Sequence, residues 1–256
     1  MIITFSCSSS FKNTELPANM PDDIIIHYSE DGGMLPIVEE IHLSMNESYY
    51  RTFYHYINNK TPFSAGKAAL NDLFLVFKSN KINNIESRKE IVMDRGGIII
   101  NISWERTRPW KKMINLIDSG FFFIKDEYKK NFQNIVDAIK KTADYELDKK
   151  RIKGKLIIAD NVDIPHYCHI TLSNEHLYHK EKDQLPHSIN INKEIKFLPG
   201  KYSLEAGIIV DKKNIFKKET IELDEKIISI SINIRNDTNP GDDTIKYIIQ
   251  FAVNRR

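Results

Sequence analysis

Hydrophobic and polar positions alternate from the start of the chain's main body. Ile24 to Ser29 is a short apolar run closed by Glu30-Asp31-Gly32-Gly33, whose glycines tolerate the backbone angles of a tight turn. Beyond it, Ile37, Ile41, Leu43 and Met45 line one side of a segment whose other side carries Glu40, His42 and Ser44, the pattern of a half-buried strand. Asn46-Glu47 supplies a turn, and the aromatic-rich stretch Tyr49 to Ile57 reads as the antiparallel return. The period then changes. Leu70, Leu73, Phe74 and Phe77 fall at i, i+3, i+4 and i+7, which predicts an amphipathic helix with Thr61 or Ser64 near its start as cap. Lys89 to Met93 and Ile98 to Trp104, separated by Asp94-Arg95-Gly96-Gly97, predict a hairpin. Trp110 to Leu116 adds a strand, and Tyr128, Phe132, Ile135, Val136 and Ile139 mark a second helix. Strands, helix, strands, helix is the order of an α+β domain with both helices on one face of an antiparallel sheet, here spanning 22–151.

A crowded basic stretch, Lys149, Lys150, Arg151, Lys153 and Lys155, marks the boundary near residue 152. Past it the texture becomes short strands throughout: Leu156 to Ala159, Ile164 to Leu172, Ser188 to Phe197, Lys201 to Val210, Glu219 to Leu223, Ile227 to Ile234 and Thr244 to Val253. Evenly spaced strands with turn signals between them predict an all-β sandwich over 152–256. Within it, Gly154-Lys155-Leu156-Ile157-Ile158, His169-Ile170-Thr171-Leu172 and Phe197-Leu198-Pro199-Gly200-Lys201-Tyr202-Ser203-Leu204-Glu205-Ala206 resemble the transthyretin-like or carboxypeptidase-regulatory-like β-sandwich. The resemblance covers roughly Gly154 to Ile234. It implies an accessory or binding domain and no catalyst.

Composition changes this picture little. Apolar residues make up 41% and charged residues 28% of the 256 positions, ordinary values for packed domains. With 37 basic and 35 acidic side chains the net charge is +2, which gives no global reason to expect nucleic acid as a partner. Phosphate-binding glycine loops, nucleophile elbows and helical metalloprotease motifs do not occur, so the expectation is a protein that is not an enzyme. Arg106, Arg108, Trp110, Lys111 and Lys112 combine bases with an aromatic ring and read as a solvated connection; Gly96-Gly97 reads as turn geometry.

The N-terminus carries an address. Cys7 follows Met1-Ile2-Ile3-Thr4-Phe5-Ser6 and leads into Ser8-Ser9-Ser10 and a polar run reaching Asp22-Asp23. This resembles the processed end of a bacterial lipoprotein, departing from it in the short, uncharged segment before the cysteine. The resemblance implies lipidation of Cys7, a disordered tether over 1–21, attachment to a membrane through that lipid, and a binding or structural role at the cell envelope with a protein or envelope partner. The rival chemistry is metal binding. His166, His169, His176, His179 and His187, with Cys168 among them, supply imidazole and thiolate suited to zinc or copper; the first reading needs no cofactor. On a strand, His166 and Cys168 share one face and His169 takes the other, whereas His176 and His179 meet on one helical turn or across a loop.

Overall fold

The computed structural model describes residues 14–33, 35–90, 92, 95–105, 112–160, 167–173, 175–180, 190–210, 213–237 and 246–255. It is mostly strand with two α-helices, and it divides into two compact units: 1–52 with 62–146, and 53–61 with 147–256. The division falls within the second helix, ahead of the expected boundary at 152, and the tip of an N-terminal hairpin clusters with the C-terminal unit.

The elements in the N-terminal half are β1 (Ile25–Gly32), β2 (Leu35–Ser44), β3 (Ser48–Tyr54), β4 (Ile57–Phe63), α1 (Lys67–Ser79), β5 (Ser87–Lys89), β6 (Gly97–Trp104), β7 (Lys112–Asp118), β8 (Phe122–Ile124) and α2 (Lys129–Asp148). Six strands form one sheet in the order β4-β3-β2-β1-β6-β7. β1 lies antiparallel to both β2 and β6, and β7 to β6. The pleat decides which face is dry. Ile26 and Tyr28 of β1, Ile41 and Leu43 of β2, Ile100, Ile102 and Trp104 of β6, and Ile114 and Leu116 of β7 are buried, together with Leu70, Leu73, Phe74 and Phe77 of α1 and Phe132, Ile135, Val136 and Ile139 of α2. The alternation and the helical periodicity read from the sequence therefore converge on one core, and the α+β assignment stands.

Three local expectations are corrected. The residue before α1 is Gly66, which gives no side-chain cap, so neither Thr61 nor Ser64 serves; Thr61 lies in β4, a strand the sequence left unassigned. The hairpin across Asp94 to Gly97 does not form: β6 pairs with β1 and β7, and the strand before it, β5, pairs with β8. The glycines there serve a close approach. A Cβ at Gly96 would stand 2.3 Å from the Asp31 carbonyl oxygen, and one at Gly97 2.3 Å from Ser119 Cα, so only glycine passes between these two backbones. The expectation of a disordered segment does not hold for 14–21. Thr14 donates its amide to the Met113 carbonyl at 3.3 Å, and Lys78 Nζ reaches the Ala18 carbonyl at 2.7 Å, so residues 14–21 are held against the N-terminal unit. The basic and aromatic group Arg106, Arg108, Trp110 and Lys111 lies outside the described residues.

The C-terminal unit is a sandwich of two four-stranded sheets. Its strands are β9 (Ile152–Asp160), β10 (Tyr167–Leu172), β11 (Glu175–Lys180), β12 (Asn190–Phe197), β13 (Gly200–Val210), β14 (Lys213–Leu223), β15 (Ile227–Asp237) and β16 (Lys246–Arg255), ordered β11-β10-β13-β14 and β12-β9-β15-β16. Leu156, Ile230 and Ile232 from one sheet and Ile170, Leu204, Ala206 and Ile208 from the other fill a common core, each nearly inaccessible. Only the β15 to β9 pairing is parallel among the pairs described here. Tyr202, Leu204 and Ala206 alternate along β13 as the Pro199-Gly200 turn suggests, and Tyr202 fastens that turn by donating its hydroxyl to the Leu198 carbonyl at 2.7 Å.

Candidate functional site

Of the residues expected to carry function, Cys7, His166 and His187 lie outside the described residues. The other three histidines are placed on two neighbouring strands. His176 and His179 both lie in β11, so they do not share a helical turn. In the β10 to β11 ladder His169 is the direct partner of His179, and Thr171 the partner of His176, with a register shift between Ile170 and Thr171 that leaves Leu177 as the extra residue. That bulge puts two histidines three apart in sequence opposite positions only two apart on β10, which share a face. The His169 ring lies across Gly207 of β13: a Cβ there would come within 2.1 Å of its Cε1, and Phe216 of β14 stacks on it with ring centroids 6.3 Å apart. Among the described residues, no three His, Cys, Asp or Glu side chains form a group able to hold a metal.

Each unit builds a second kind of site from tyrosine, glutamate and lysine. In the N-terminal unit, Tyr28 and Glu30 of β1 point to the helix side of the sheet. The Tyr28 hydroxyl donates to Glu30 Oε2 at 2.5 Å, and Lys140 of α2 donates to the same oxygen at 2.5 Å while its Nζ sits 5.5 Å from the Tyr28 ring centre. Burial, then the hydrogen bond to Glu30, pushes the Tyr28 phenol far above its ordinary range. For Glu30, burial raises the carboxyl, but the hydrogen bonds from Lys140 and Tyr28 more than reverse it, so the group titrates below its usual range. The cross-strand partner of Glu30 is Glu39, which behaves oppositely. Burial pushes its carboxyl up, with the charges of Glu30 and Asp144 adding and those of Lys140 and a Tyr50 hydrogen bond opposing. Two carboxylates thus compete for one ammonium.

The C-terminal unit repeats the arrangement with residues 53–61 supplying the tyrosine. Glu205 Oε1 of β13 accepts from Ser203 Oγ at 2.9 Å and from the Tyr54 hydroxyl at 3.2 Å, and pairs with Lys218 Nζ at 2.8 Å. Lys218 Nζ also lies 5.6 Å from the Tyr54 ring centre. Burial raises the Glu205 carboxyl, and the donors from Lys218 and Ser203 bring it below its ordinary range. Sequence reading passed over both glutamates, because a strand residue with ordinary neighbours in sequence gives no sign of a lysine more than ten positions away. Only the aromatic row Tyr49 to Tyr56 hinted that these strands carry phenols.

The Glu30 and Glu39 pair predicts an unusual pH profile for the N-terminal unit. A carboxyl whose folded pKa is raised destabilises the fold when ionised, so stability rises as pH falls through that raised value toward the ordinary one. Glu30, held low, contributes stability above the ordinary carboxyl range and loses it as pH falls through its folded pKa. Thermal melts should therefore show a maximum in mildly acidic solution. Glu39→Gln is expected to raise the melting temperature at pH 7 and to remove the gain seen on acidification to pH 5; an unchanged profile would sever Glu39 from the effect.

Among the described residues no helix is long and apolar enough to cross a membrane. Comparison with known proteins gives no further identification: no protein-family model matches the chain, and no curated protein or solved structure is significantly similar to it.

Proposed function

We propose that this chain is a non-catalytic binding or structural module of the bacterial cell envelope, held to a membrane by a lipid on Cys7, with its C-terminal sandwich of transthyretin-like type. The observation that carries the reading is the sequence around Cys7: an apolar start, a cysteine, then Ser8-Ser9-Ser10 and a polar run reaching Asp22-Asp23. Two four-stranded sheets around one core support the sandwich part of the reading. A diacyl or triacyl anchor holds a folded body at a surface without a spanning segment. Expressed from its native locus, the protein should partition into detergent, and Cys7→Ser should move it to the aqueous phase. Equal partitioning of the two forms retires the lipid anchor.

A second reading, a zinc- or copper-binding protein, is favoured by one observation: the pairing of His169 with His179 and the bulge that sets His176 opposite Thr171. Imidazole nitrogens are ordinary ligands of both ions. Metal analysis of the purified protein separates the readings. The envelope-module reading expects no stoichiometric metal. A full equivalent of zinc or copper that disappears in His169→Ala and His179→Ala would establish the second.

A further inference from the structure

The basic stretch that marked the domain boundary is gathered by the C-terminal fold onto one sheet face. In the β12 to β9 ladder Lys196 is the direct partner of Lys153, and Glu194 the partner of Lys155. Gly154 between Lys153 and Lys155, Leu156 after them, and Ile195 and Phe197 on either side of Lys196 are buried, so Lys153, Lys155 and Lys196 stand on the outward face, all exposed. Lys149, Lys150 and Arg151 lead into the same end of β9. Across the sheet Ser229, itself buried, is level with Lys155, and the exposed Asn254 of β16 donates to Ser229 Oγ at 2.9 Å and Ser231 Oγ at 3.0 Å.

Two features make this more than a solvated surface. Like charges placed directly opposite on neighbouring strands destabilise a sheet, and Lys153 with Lys196 is such a pair; Asp148 offsets it only in part, at 3.6 Å from Lys196 while also pairing with Arg151 at 3.3 Å. The charge is also local. Segments 147–157 and 192–197 hold seven bases and two acids, although the whole chain carries only +2.

We propose that the outward face of the β12-β9-β15-β16 sheet docks on an anionic lipid bilayer, its lysines lying against the headgroup phosphates. The chemistry of the face selects this partner. Lysine is a point charge that suits a field of phosphates with no fixed geometry, where a bidentate site uses arginine. Single-stranded nucleic acid is held by aromatic rings that stack on bases, and this face carries none among its described outward residues. A duplex is usually read by a helix or a two-stranded ribbon that enters a groove, and here the lysines stand on the face of a four-stranded sheet. An extended anionic surface matches a row of lysines spread over neighbouring strands. The inference does not depend on lipidation, since it concerns the folded sandwich alone.

The test uses the full chain carrying Cys7→Ser, so that no acyl group contributes, and vesicles of phosphatidylglycerol with phosphatidylcholine against phosphatidylcholine alone. Binding is expected only to the anionic vesicles, and it should weaken steeply with salt. Each lysine against such a surface contributes about fivefold in affinity, so Lys153→Gln with Lys196→Gln should lower binding about 25-fold. The same pair should leave the melting temperature equal or higher, because it removes a repulsive contact. Lys130→Gln with Lys141→Gln, an equal charge change on exposed α2 positions, should leave binding within about twofold. Absence of binding at low salt overturns the proposal. Equal weakening by both pairs of substitutions also overturns it, by assigning the effect to net charge. Tighter binding to DNA than to vesicles at equal phosphate and salt overturns it in favour of nucleic acid.

Discussion

Gly97→Ala is expected to abolish or severely destabilise the N-terminal unit, by at least about 3 kcal/mol, the upper end of what overpacking costs, because the clash is with backbone. The added methyl would lie 2.3 Å from Ser119 Cα and 2.4 Å from the Asp118 carbonyl oxygen, and both atoms belong to the segment that ends β7 and turns toward β8. β6 is an interior strand of the six-stranded sheet, so displacing its first residue disturbs pairings on both sides. Because the sandwich contains no α-helix among its described residues beyond the end of α2, urea melts followed by far-UV circular dichroism at the helical minimum report mainly on the N-terminal unit. Gly207→Ala provides the contrast. Its methyl would meet the ring of His169, the far end of a side chain that can rotate away, so a loss below about 1.5 kcal/mol is expected. Equal effects of the two substitutions would show that the backbone approach at Gly97 is not the cause.

Trp104→Ala is expected to cost the N-terminal unit about 3 to 5 kcal/mol, the range for deleting a large buried aromatic side chain. Trp104 is 1% exposed at the end of β6, among the largest fully buried side chains of the chain. Its indole Nε1 is buried with no hydrogen-bond acceptor among the described residues, which is a standing cost of the kind a missing partner imposes. Trp104→Phe removes that donor while keeping most of the packing, so it should lose far less, below about 1.5 kcal/mol. If the phenylalanine variant falls as far as the alanine one, the ring's full volume matters and the orphaned donor does not.

Periodicity made much of the fold legible. The spacing Leu70, Leu73, Phe74, Phe77 and the set Phe132, Ile135, Val136, Ile139 placed both helices, since an amphipathic stripe is a purely local signal. The alternation Tyr202, Leu204, Ala206 did the same for β13. The failures occurred where partners are distant in sequence. Asp94 to Gly97 carries the residues of a hairpin turn, but β5 finds its partner in β8, more than thirty residues on, and the glycines admit backbone from elsewhere. Glu175 to Lys180 gives little strand signal because it is the edge of its sheet, where the apolar pattern thins. The tyrosine, glutamate and lysine sites could not be read at all. Their members come from β1 and α2, or from residues 53–61 and two strands of the sandwich, and nothing in the sequence links them.

Intact-mass and peptide mass spectrometry of the N-terminus, on protein isolated from the envelope fraction of cells expressing it from its native locus, tests the central claim most directly. The lipid-anchored module predicts a mature chain that begins at Cys7, with the mass of a thioether-linked diacylglycerol on its sulfur. A chain that retains Met1 to Ser6 ahead of an unmodified Cys7 thiol would contradict it.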